Sequence, residues 1–125
     1  MRTTKIDEYR RQVPSGEPLE ITVNWAGSTV SIVLAGEFDC AVERAVANAI
    51  DAAAAVPGTT AMVIDMTAIR FIDSSGVRCL LLARHTAHGR DMTFELATAS
   101  NGPVLRLLAI CGLTDLFAVV RAQPL

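Results

Sequence analysis

The segment "AMVIDMTAIRFIDSSGVRCLLL", residues 61–82, determines the fold that the sequence predicts. Residues 61–65 are apolar on both faces, which is typical of a central strand that helices cover on at least one side. Residues 66–75 are predicted to cross over to a helix at 76–88, and Gly89 is placed to end that helix. A covered strand followed by a helix indicates an α/β layer structure.

Asp73, Ser74, Ser75 and Gly76 lie together at the junction between this strand and this helix. Serine and aspartate oxygens accept hydrogen bonds from the unpaired N–H groups of a helix N-terminus, which accounts for one such residue but not for three in a row. Glycine in the first turn lowers helix propensity, and it leaves room for another molecule to approach the backbone.

The same junction can tolerate a phosphate group. A helix N-terminus favours negative charge by roughly 0.3–1 kcal/mol at an exposed site, so a phosphate on Ser74 would not unfold the domain. It would still bring about −1.5 to −2 charges to a neutral hydroxyl, and a partner packed there would meet a desolvated dianion. The junction therefore suits a switch in which the fold persists while the surface chemistry changes.

Upstream of this segment, the sequence predicts a β-hairpin followed by a helix. Apolar and polar residues alternate over 19–25, which indicates a half-buried strand, and 29–36 is predicted to pair with it. Residues 36–40 are predicted as a loop, in which Asp39 is placed to cap the next helix. That helix is indicated by apolar residues at i, i+3, i+4 and i+7 spacing over 42–53.

Downstream, the sequence predicts a strand at 92–97, a third helix that Pro103 opens and Gly112 ends, and a candidate final strand at 116–121. The third helix is predicted to direct four residues into the core: Val104, Leu107, Leu108 and Cys111. The order is β-β-α-β-α-β-α with a candidate final strand. It predicts an α/β fold in which crossover helices pack on a mixed β-sheet.

The length of 125 residues, 51% of them hydrophobic, fits one domain with a substantial core. We expect this domain to span 19–125 and to follow an N-terminal arm at 1–18. Charges of both signs and the breaker cluster "PSGEP" favour a mobile or loosely attached arm, with a short helix before Pro14.

Charge and hydropathy exclude several classes of protein. The 11 basic and 13 acidic side chains give a net charge of −2, which favours neither nucleic acid nor a membrane surface as a partner. No apolar run approaches the ~20 residues of a membrane span, and the N-terminus lacks the apolar region of a secretory signal. A cytoplasmic protein is therefore expected.

Few residues could bind a metal. Cys40, Cys79 and Cys111 are far apart and lack C-x-x-C spacing, so we expect reduced thiols packed as small hydrophobes rather than disulfides or zinc ligands. His85 and His88 have no nearby carboxylate or cysteine to complete a metal site.

Few residues could catalyse a reaction either. Ser74 lacks a G-x-S-x-G context, and both histidines lie at least ten residues further along the same helix, roughly 15 Å or more away. The phosphate-binding pattern G-x-x-x-x-G-K-[ST] is absent from the sequence. We therefore expect no enzymatic activity and no cofactor, so that any ATP is bound by a partner.

Three motifs in register, covering about 19–121, resemble one known family. "VIDMTAIRFIDSSGVRCLL" is similar to its strand, crossover and Asp-Ser-Ser-Gly helix start, and "LAGEFD" resembles its Gly-Glu-hydrophobic-Asp segment. "PVLRLLAICGLTDLF" resembles its third helix and the Gly-Leu that follows. The family is that of the anti-sigma factor antagonists, single-domain members of the STAS family, and the resemblance implies the STAS fold.

The resemblance implies a phosphoprotein that regulates transcription in a system such as a stress response. Ser74, the first serine of the Ser-Ser pair, would be the phosphate acceptor. The partner would be an anti-sigma factor that is also an ATP-dependent serine kinase. The unphosphorylated chain would bind this partner and free a sigma factor, the phosphorylated chain would be released, and a phosphatase would reset it.

The residues expected to contact the partner come from the resemblance and from helix geometry. The resemblance supplies Gly36, Glu37, Asp39, Asp73, Ser74, Ser75 and Gly76. Arg78 and Leu82 are added because they fall, with His85, on the face of the second helix opposite its core residues, next to the serines.

Alternatives to this function remain open. The chain could be a STAS-type scaffold subunit of a larger signalling or transport-linked assembly, in which the serines need not be modified. It could instead be a small module that binds an anion or a nucleotide at the helix N-terminus. Cys40, next to Asp39, also leaves open an oxidation-sensitive contact with the partner.

Overall fold

The computed structural model describes residues 2–6 and 19–122, which form three helices and a six-stranded sheet. The strands are β1 (Arg2–Ile6), β2 (Glu20–Ala26), β3 (Thr29–Phe38), β4 (Ala61–Ile72), β5 (Thr93–Ala99) and β6 (Val119–Ala122). The helices are α1 (Glu43–Ala54), α2 (Ser74–Gly89) and α3 (Pro103–Ile110), and short 3₁₀ turns lie at Cys40–Val42 and Thr114–Leu116.

The strands lie in the sheet in the order in which they occur in the sequence. β1, β2 and β3 pair antiparallel, whereas β3, β4, β5 and β6 pair parallel. One helix occupies each parallel connection, so the carboxyl ends of β3 to β6 share one edge of the sheet, called the carboxyl edge below. The predicted α/β fold with crossover helices on a mixed sheet is confirmed. The candidate final strand at 116–121 is confirmed for 119–121 and wrong for 116–118, because a 3₁₀ turn extends to Leu116 before the strand begins.

The hydrophobic core lies on one face of the sheet. Strands β2 to β5 bury residues on this face, while the residues that point to the other face are half-buried or exposed. The buried hydrophobic residues of all three helices belong to the same core cluster as these strand residues. The helices therefore cover one face of the sheet, and burial of this apolar surface is the main driving force for the fold.

β4 is longer than the sequence predicts. Its register with β3 shifts twice, and each shift places one extra residue on β4. The spacing of its buried residues changes accordingly from two to three: Met62, Ile64, Met66, Ile69 and Ile72. The prediction of a crossover at 66–75 was wrong for 66–72, because these irregularities hide the alternation that identifies a strand.

Local contacts hold both irregularities in place. At the first shift, between Val33 and Ala35, the Asp65 carboxylate accepts hydrogen bonds from the N–H (2.9 Å) and the hydroxyl (2.7 Å) of Thr67. At the second shift, Gly36 has a φ of 117°, a conformation that favours glycine. The two shifts thereby let β4 run beside β3 up to the carboxyl edge.

β3 also extends beyond its predicted end. The loop prediction for 36–40 was wrong for 36–38, because β3 continues to Phe38. The Phe38 side chain is 1% exposed and pairs in register with Ile72 of β4. Burial of these two side chains therefore defines where both strands end.

The helices agree with the sequence to within two residues. α1 is shifted by one residue at each end, and α2 begins at Ser74, two residues before its predicted start, and includes Gly89, which was predicted to follow it. α3 buries Val104 and Leu108, but it ends at Ile110, and Cys111 is exposed. The core position predicted for Cys111 was wrong because this end of the helix extends past the core, and residues 109–112 are all exposed.

The three cysteines are free thiols in different surroundings. Cys79 is buried, as predicted, whereas Cys40 and Cys111 are exposed. The prediction of thiols packed as small hydrophobes is therefore confirmed for Cys79 and wrong for the other two.

The N-terminal arm contains a strand that the sequence analysis did not predict. Residues 2–6 form β1, which pairs antiparallel with β2, Ile6 lying opposite Ile21. The helix predicted before Pro14 lies outside the described residues. The domain boundary at residue 19 stays a prediction.

Candidate functional site

The polar residues singled out in the sequence lie at the carboxyl edge of β3 and β4. Phe38 and Ile72 are register partners at the ends of these strands, and Asp39 and Asp73 follow them directly. The Asp73 N–H donates a hydrogen bond to the Phe38 carbonyl oxygen, at 3.2 Å. Two aspartates separated by 34 positions in the sequence therefore end adjacent strands at the same edge.

Both aspartates cap the helical turn that follows them. The Asp39 carboxylate accepts a hydrogen bond from the Ala41 N–H at 3.0 Å, and the Asp73 carboxylate accepts one from the Ser75 N–H at 2.9 Å. Asp39 thus caps the 3₁₀ turn that leads into α1, and Asp73 caps α2 itself. The predicted capping role of Asp39 is confirmed for the turn before α1.

The two serines occupy different environments although they are adjacent in sequence. The Ser75 side chain is 4% exposed, and its hydroxyl donates a hydrogen bond to the Asp73 carboxylate. Ser74, the first residue of α2, is exposed. The Ser74 hydroxyl is therefore at the surface, whereas Ser75 belongs to the structure of the helix cap.

Gly76 is required by packing inside the domain. A Cβ atom at this position would lie 2.5 Å from Ile72 Cγ1 and 2.7 Å from Ile72 Cδ1, and 3.3 Å from Phe38 Cδ1. The first turn of α2 therefore rests directly on the ends of β3 and β4. The expectation that Gly76 leaves room for another molecule was wrong, because these two side chains fill the space.

Gly36 and Glu37 lie at the end of β3. Gly36 is buried and forms part of the second register shift, so it shapes the strand. Glu37 is half-buried and pairs in register with Phe71, whose ring is 47% exposed. Glu37 therefore has part of its side chain at the surface, whereas Gly36 contributes buried backbone.

An ion pair joins the second turn of α2 to the first turn of α1. Arg78 donates from Nε and a terminal nitrogen to the two carboxylate oxygens of Glu43, at 2.7 and 2.8 Å. This paired hydrogen bonding lowers the pKa of Glu43 and raises the pKa of Arg78. The sequence analysis missed Glu43. The available signal was its place in the first turn of a predicted helix, where a negative charge is favoured.

Leu82 lies one turn beyond Arg78 and is 55% exposed. It borders a shallow groove of about 180 Å³ between α1 and α2, whose lining is Ala47, Ile50, Asp51, Cys79, Leu82, Ala83 and Thr86. The exposed face predicted for α2, which contains Arg78, Leu82 and His85, is confirmed.

The structure divides the nine predicted contact residues into two groups. Gly36, Ser75 and Gly76 are buried and hold the junction in shape. The other six lie at least partly at the surface: Glu37, Asp39, Asp73, Ser74, Arg78 and Leu82. Contact between these residues and a partner stays a prediction.

Residues 2–6 and 19–122 contain no group of three or more His, Cys, Asp or Glu side chains that could hold a metal ion. Within the same ranges, no helix combines the length and the apolar character needed to cross a membrane.

Comparison with known proteins identifies the family. The family model described as "Mlab, STAS domain" matches residues 21–121, so the chain belongs to the STAS domain family. A search of curated protein sequences found no match.

Solved structures with the same fold include anti-sigma factor antagonists. One from Mycobacterium paratuberculosis has a TM-score of 0.73 and 24% identity, over 81% of this chain and 84% of that one. SpoIIAA in its unphosphorylated form has a TM-score of 0.69 and 22% identity, over 82% and 88% of the two chains. The phosphorylated form of SpoIIAA, described as a Bacillus cell fate determinant, has a TM-score of 0.63 at 22% identity, over 82% and 91%.

Proposed function

We propose that this chain is an anti-sigma factor antagonist controlled by phosphorylation of Ser74. Its partner is an anti-sigma factor that is also a serine kinase, and this partner binds the chain when Ser74 is unmodified. Binding frees a sigma factor, phosphorylation releases the chain, and a phosphatase restores it. The antagonist itself is not an enzyme and acts in the cytoplasm as a regulator of transcription.

The observation that supports this proposal most strongly is the contrast between the two serines. Ser75 is held by the Asp73 carboxylate inside the cap, while Ser74 presents its hydroxyl at the surface of the same helical turn. Addition of a phosphate to Ser74 would leave the cap intact and place a dianion next to Asp73 and near Asp39. The fold would therefore persist while the surface that a partner meets becomes strongly negative.

The chemistry of the proposed modification is a phosphoryl transfer. A bond forms between Ser74 Oγ and the γ-phosphorus of ATP as the bond from that phosphorus to the β–γ bridging oxygen breaks. ADP leaves, and the hydroxyl proton passes to a base of the kinase. The chain contributes the acceptor hydroxyl and its fixed position at the start of α2.

The printed names of the structural relatives agree with the proposal. Two of the structures are titled as anti-sigma factor antagonists, and SpoIIAA has been solved in both an unphosphorylated and a phosphorylated form. Similarity at these identities shows a shared fold. The role proposed for Ser74 therefore rests on the position and the exposure of Ser74 in this chain.

The proposal is tested by a pull-down with charge variants of Ser74. Ser74→Ala is expected to retain a kinase-like, ATP-binding protein from the source cells, and Ser74→Glu is expected to lose it. Thr93→Glu is the matched control, because it adds the same charge at an exposed residue where β5 begins, at the opposite edge of the sheet. The captured protein should then transfer the γ-phosphate of labelled ATP to the unmodified chain and not to Ser74→Ala.

A STAS-type scaffold is the second candidate function. The observation that favours it is the name of the matching family model, Mlab, which is not that of an anti-sigma factor antagonist. A scaffold predicts that Ser74→Ala, Ser74→Glu and Thr93→Glu retain the same large assembly. Thermal stabilisation by a nucleotide or by phosphate alone would instead favour a module that binds a small anion.

A further inference from the structure

Arg78 lies close to the proposed phosphate acceptor on the same helix. Ser74 and Arg78 are four residues apart on α2, and residues at this spacing have Cβ atoms roughly 5–6 Å apart. Side chains on a helix lean toward its N-terminus, and this direction lets the Arg78 side chain reach the turn that begins at Ser74. Both side chains are at the surface, and that of Arg78 is 62% exposed.

Glu43 holds the Arg78 guanidinium in the unmodified chain. The two hydrogen bonds to the Glu43 carboxylate use two of the five N–H donors of Arg78. Asp73 and Cys40 also act electrostatically on Arg78, and Asp73 acts on Glu43. The surroundings of Ser74 are thus already acidic, and Arg78 is the basic residue within the first two turns of α2.

A phosphate on Ser74 would compete with Glu43 for Arg78. It has about −1.5 to −2 charges and three acceptor oxygens, whereas the Glu43 carboxylate has a single charge and two oxygens. Arginine binds phosphate through two parallel hydrogen bonds, as it binds a carboxylate. The phosphate would also repel the Glu43 carboxylate across the short distance between α1 and α2.

We propose that, in the chain phosphorylated at Ser74, Arg78 leaves Glu43 and binds the phosphate group. This inference rests on the proposed function, because it takes Ser74 as the modified residue. The ion pair between α1 and α2 is then lost, and the Glu43 carboxylate is no longer held by Arg78. Phosphorylation therefore changes the partner-facing surface at two places, Ser74 and Glu43.

The exchange is tested on a chain that contains phosphoserine at position 74, introduced during synthesis so that no kinase is needed. A ³¹P NMR titration measures the second pKa of the phosphate, which is about 6 for phosphoserine. We expect this pKa to be lower in the otherwise unchanged chain than in Arg78→Gln. Arg84→Gln is the control and should not change it, because Arg84 lies ten residues from Ser74, about 15 Å along the helix.

A second measurement follows the Glu43 carboxylate, the group that Arg78 leaves. The ¹³C resonance of the Glu43 carboxylate, read above the second pKa of the phosphate so that the phosphate is a dianion, should move on phosphorylation of Ser74 toward its position in unphosphorylated Arg78→Gln. The exchange is overturned if this resonance stays where it is in the unmodified chain, or if Arg78→Gln leaves the phosphate pKa unchanged. Either result is independent of the pull-down, so it separates failure of the exchange from failure of the proposed function.

Discussion

Gly76 lies where the first turn of α2 meets the ends of β3 and β4. The sequence analysis took this glycine of the Asp-Ser-Ser-Gly motif as a sign of a binding surface, but the reason for it is packing inside the domain. The sequence indicated that glycine was unusual in a first helical turn, but it could not show that Ile72 and Phe38 occupy the adjacent space. That information depends on how three separate elements pack.

Gly76→Ala is expected to destabilise the domain, because the new Cβ would lie 2.5 Å from Ile72 Cγ1 in a buried position. Overpacking of this kind costs about 1–3 kcal/mol. Gly89→Ala is the matched control on the same helix, since its Cβ would meet nothing within 4 Å. Urea unfolding measures both, and a Gly76→Ala variant as stable as Gly89→Ala would contradict the packing of α2 described above.

The cysteines provide a second test at the scale of single residues. Burial raises the pKa of the Cys79 thiol to about 12, so at neutral pH this thiol is protonated and shielded. Cys40 and Cys111 are exposed and should react with iodoacetamide in the folded chain, while Cys79 should react only after denaturation. Mass spectrometry of the labelled peptides identifies the sites. Rapid labelling of Cys79 under native conditions would show that the core position assigned to it is incorrect.

At the scale of secondary-structure elements, Asp73 connects a strand to a helix. Its backbone N–H bonds the end of β3, and its carboxylate accepts hydrogen bonds from both the N–H and the hydroxyl of Ser75. The sequence predicted polar residues that cap helices at this junction. It could not assign the two serines to different roles, because only the direction of the first turn of α2 decides which hydroxyl is buried.

Asp73→Ala should therefore destabilise the chain more than Asp39→Ala does. Loss of a helix cap costs about 0.5–2 kcal/mol, and the buried Ser75 hydroxyl would also lose its acceptor. Asp39 caps a short 3₁₀ turn through an exposed hydrogen bond, whereas Asp73 caps a long helix and holds a buried hydroxyl, so removal of Asp39 should cost less. Thermal or urea unfolding compares the two variants, and an equal or larger loss for Asp39→Ala would argue against this assignment.

The Glu43–Arg78 ion pair joins two elements and should make stability depend on pH. Because Arg78 lowers the pKa of Glu43 in the folded chain, the pair contributes stability above the pKa that Glu43 has in the unfolded chain. This contribution is lost as the pH falls through the lower, folded-state pKa. The difference in free energy of unfolding between the unmodified chain and Arg78→Gln should therefore shrink from pH 7 toward pH 3.

Arg84→Gln controls for the removal of a positive charge from α2 and should show no comparable trend. The surface pair is exposed to solvent, so added salt should reduce the difference at pH 7. A difference that grows as the pH falls would mean that Glu43 is not the group that Arg78 stabilises.

At the scale of the whole molecule, much of the architecture could be predicted from the sequence. The apolar runs at 61–65 and 92–97 and the helical spacing over 42–53 were enough to predict alternating strands and helices on a mixed sheet. β1 and the second half of β4 could not be predicted. β1 lies in a segment without clear alternation, and β4 contains two register shifts that change its spacing. Both features depend on pairing with a neighbouring strand, and the periodicity of a single segment holds no information about that pairing.

The arrangement of the whole molecule brings the candidate site together. Parallel pairing of β3 with β4 places Asp39 beside Asp73, and the packing of α1 against α2 places Glu43 beside Arg78. Ser74 follows Asp73 directly and lies four residues before Arg78 on α2, so a single modification there would act on a surface formed by four elements. The sequence predicted the residues of this surface except Glu43, whose place in it can be recognised only from the contact between α1 and α2.

The affinity of the purified kinase partner for the chain, with Ser74 unmodified and with Ser74 phosphorylated, tests the central claim most directly. Titration calorimetry can measure both. We predict tight binding of the unmodified chain and a loss of about a hundredfold or more on phosphorylation, since like charges placed opposite each other in an interface cost several kcal/mol. Equal affinities for the two forms would contradict the claim. They would leave Ser74 as the first residue of a capped helix and would favour the scaffold function.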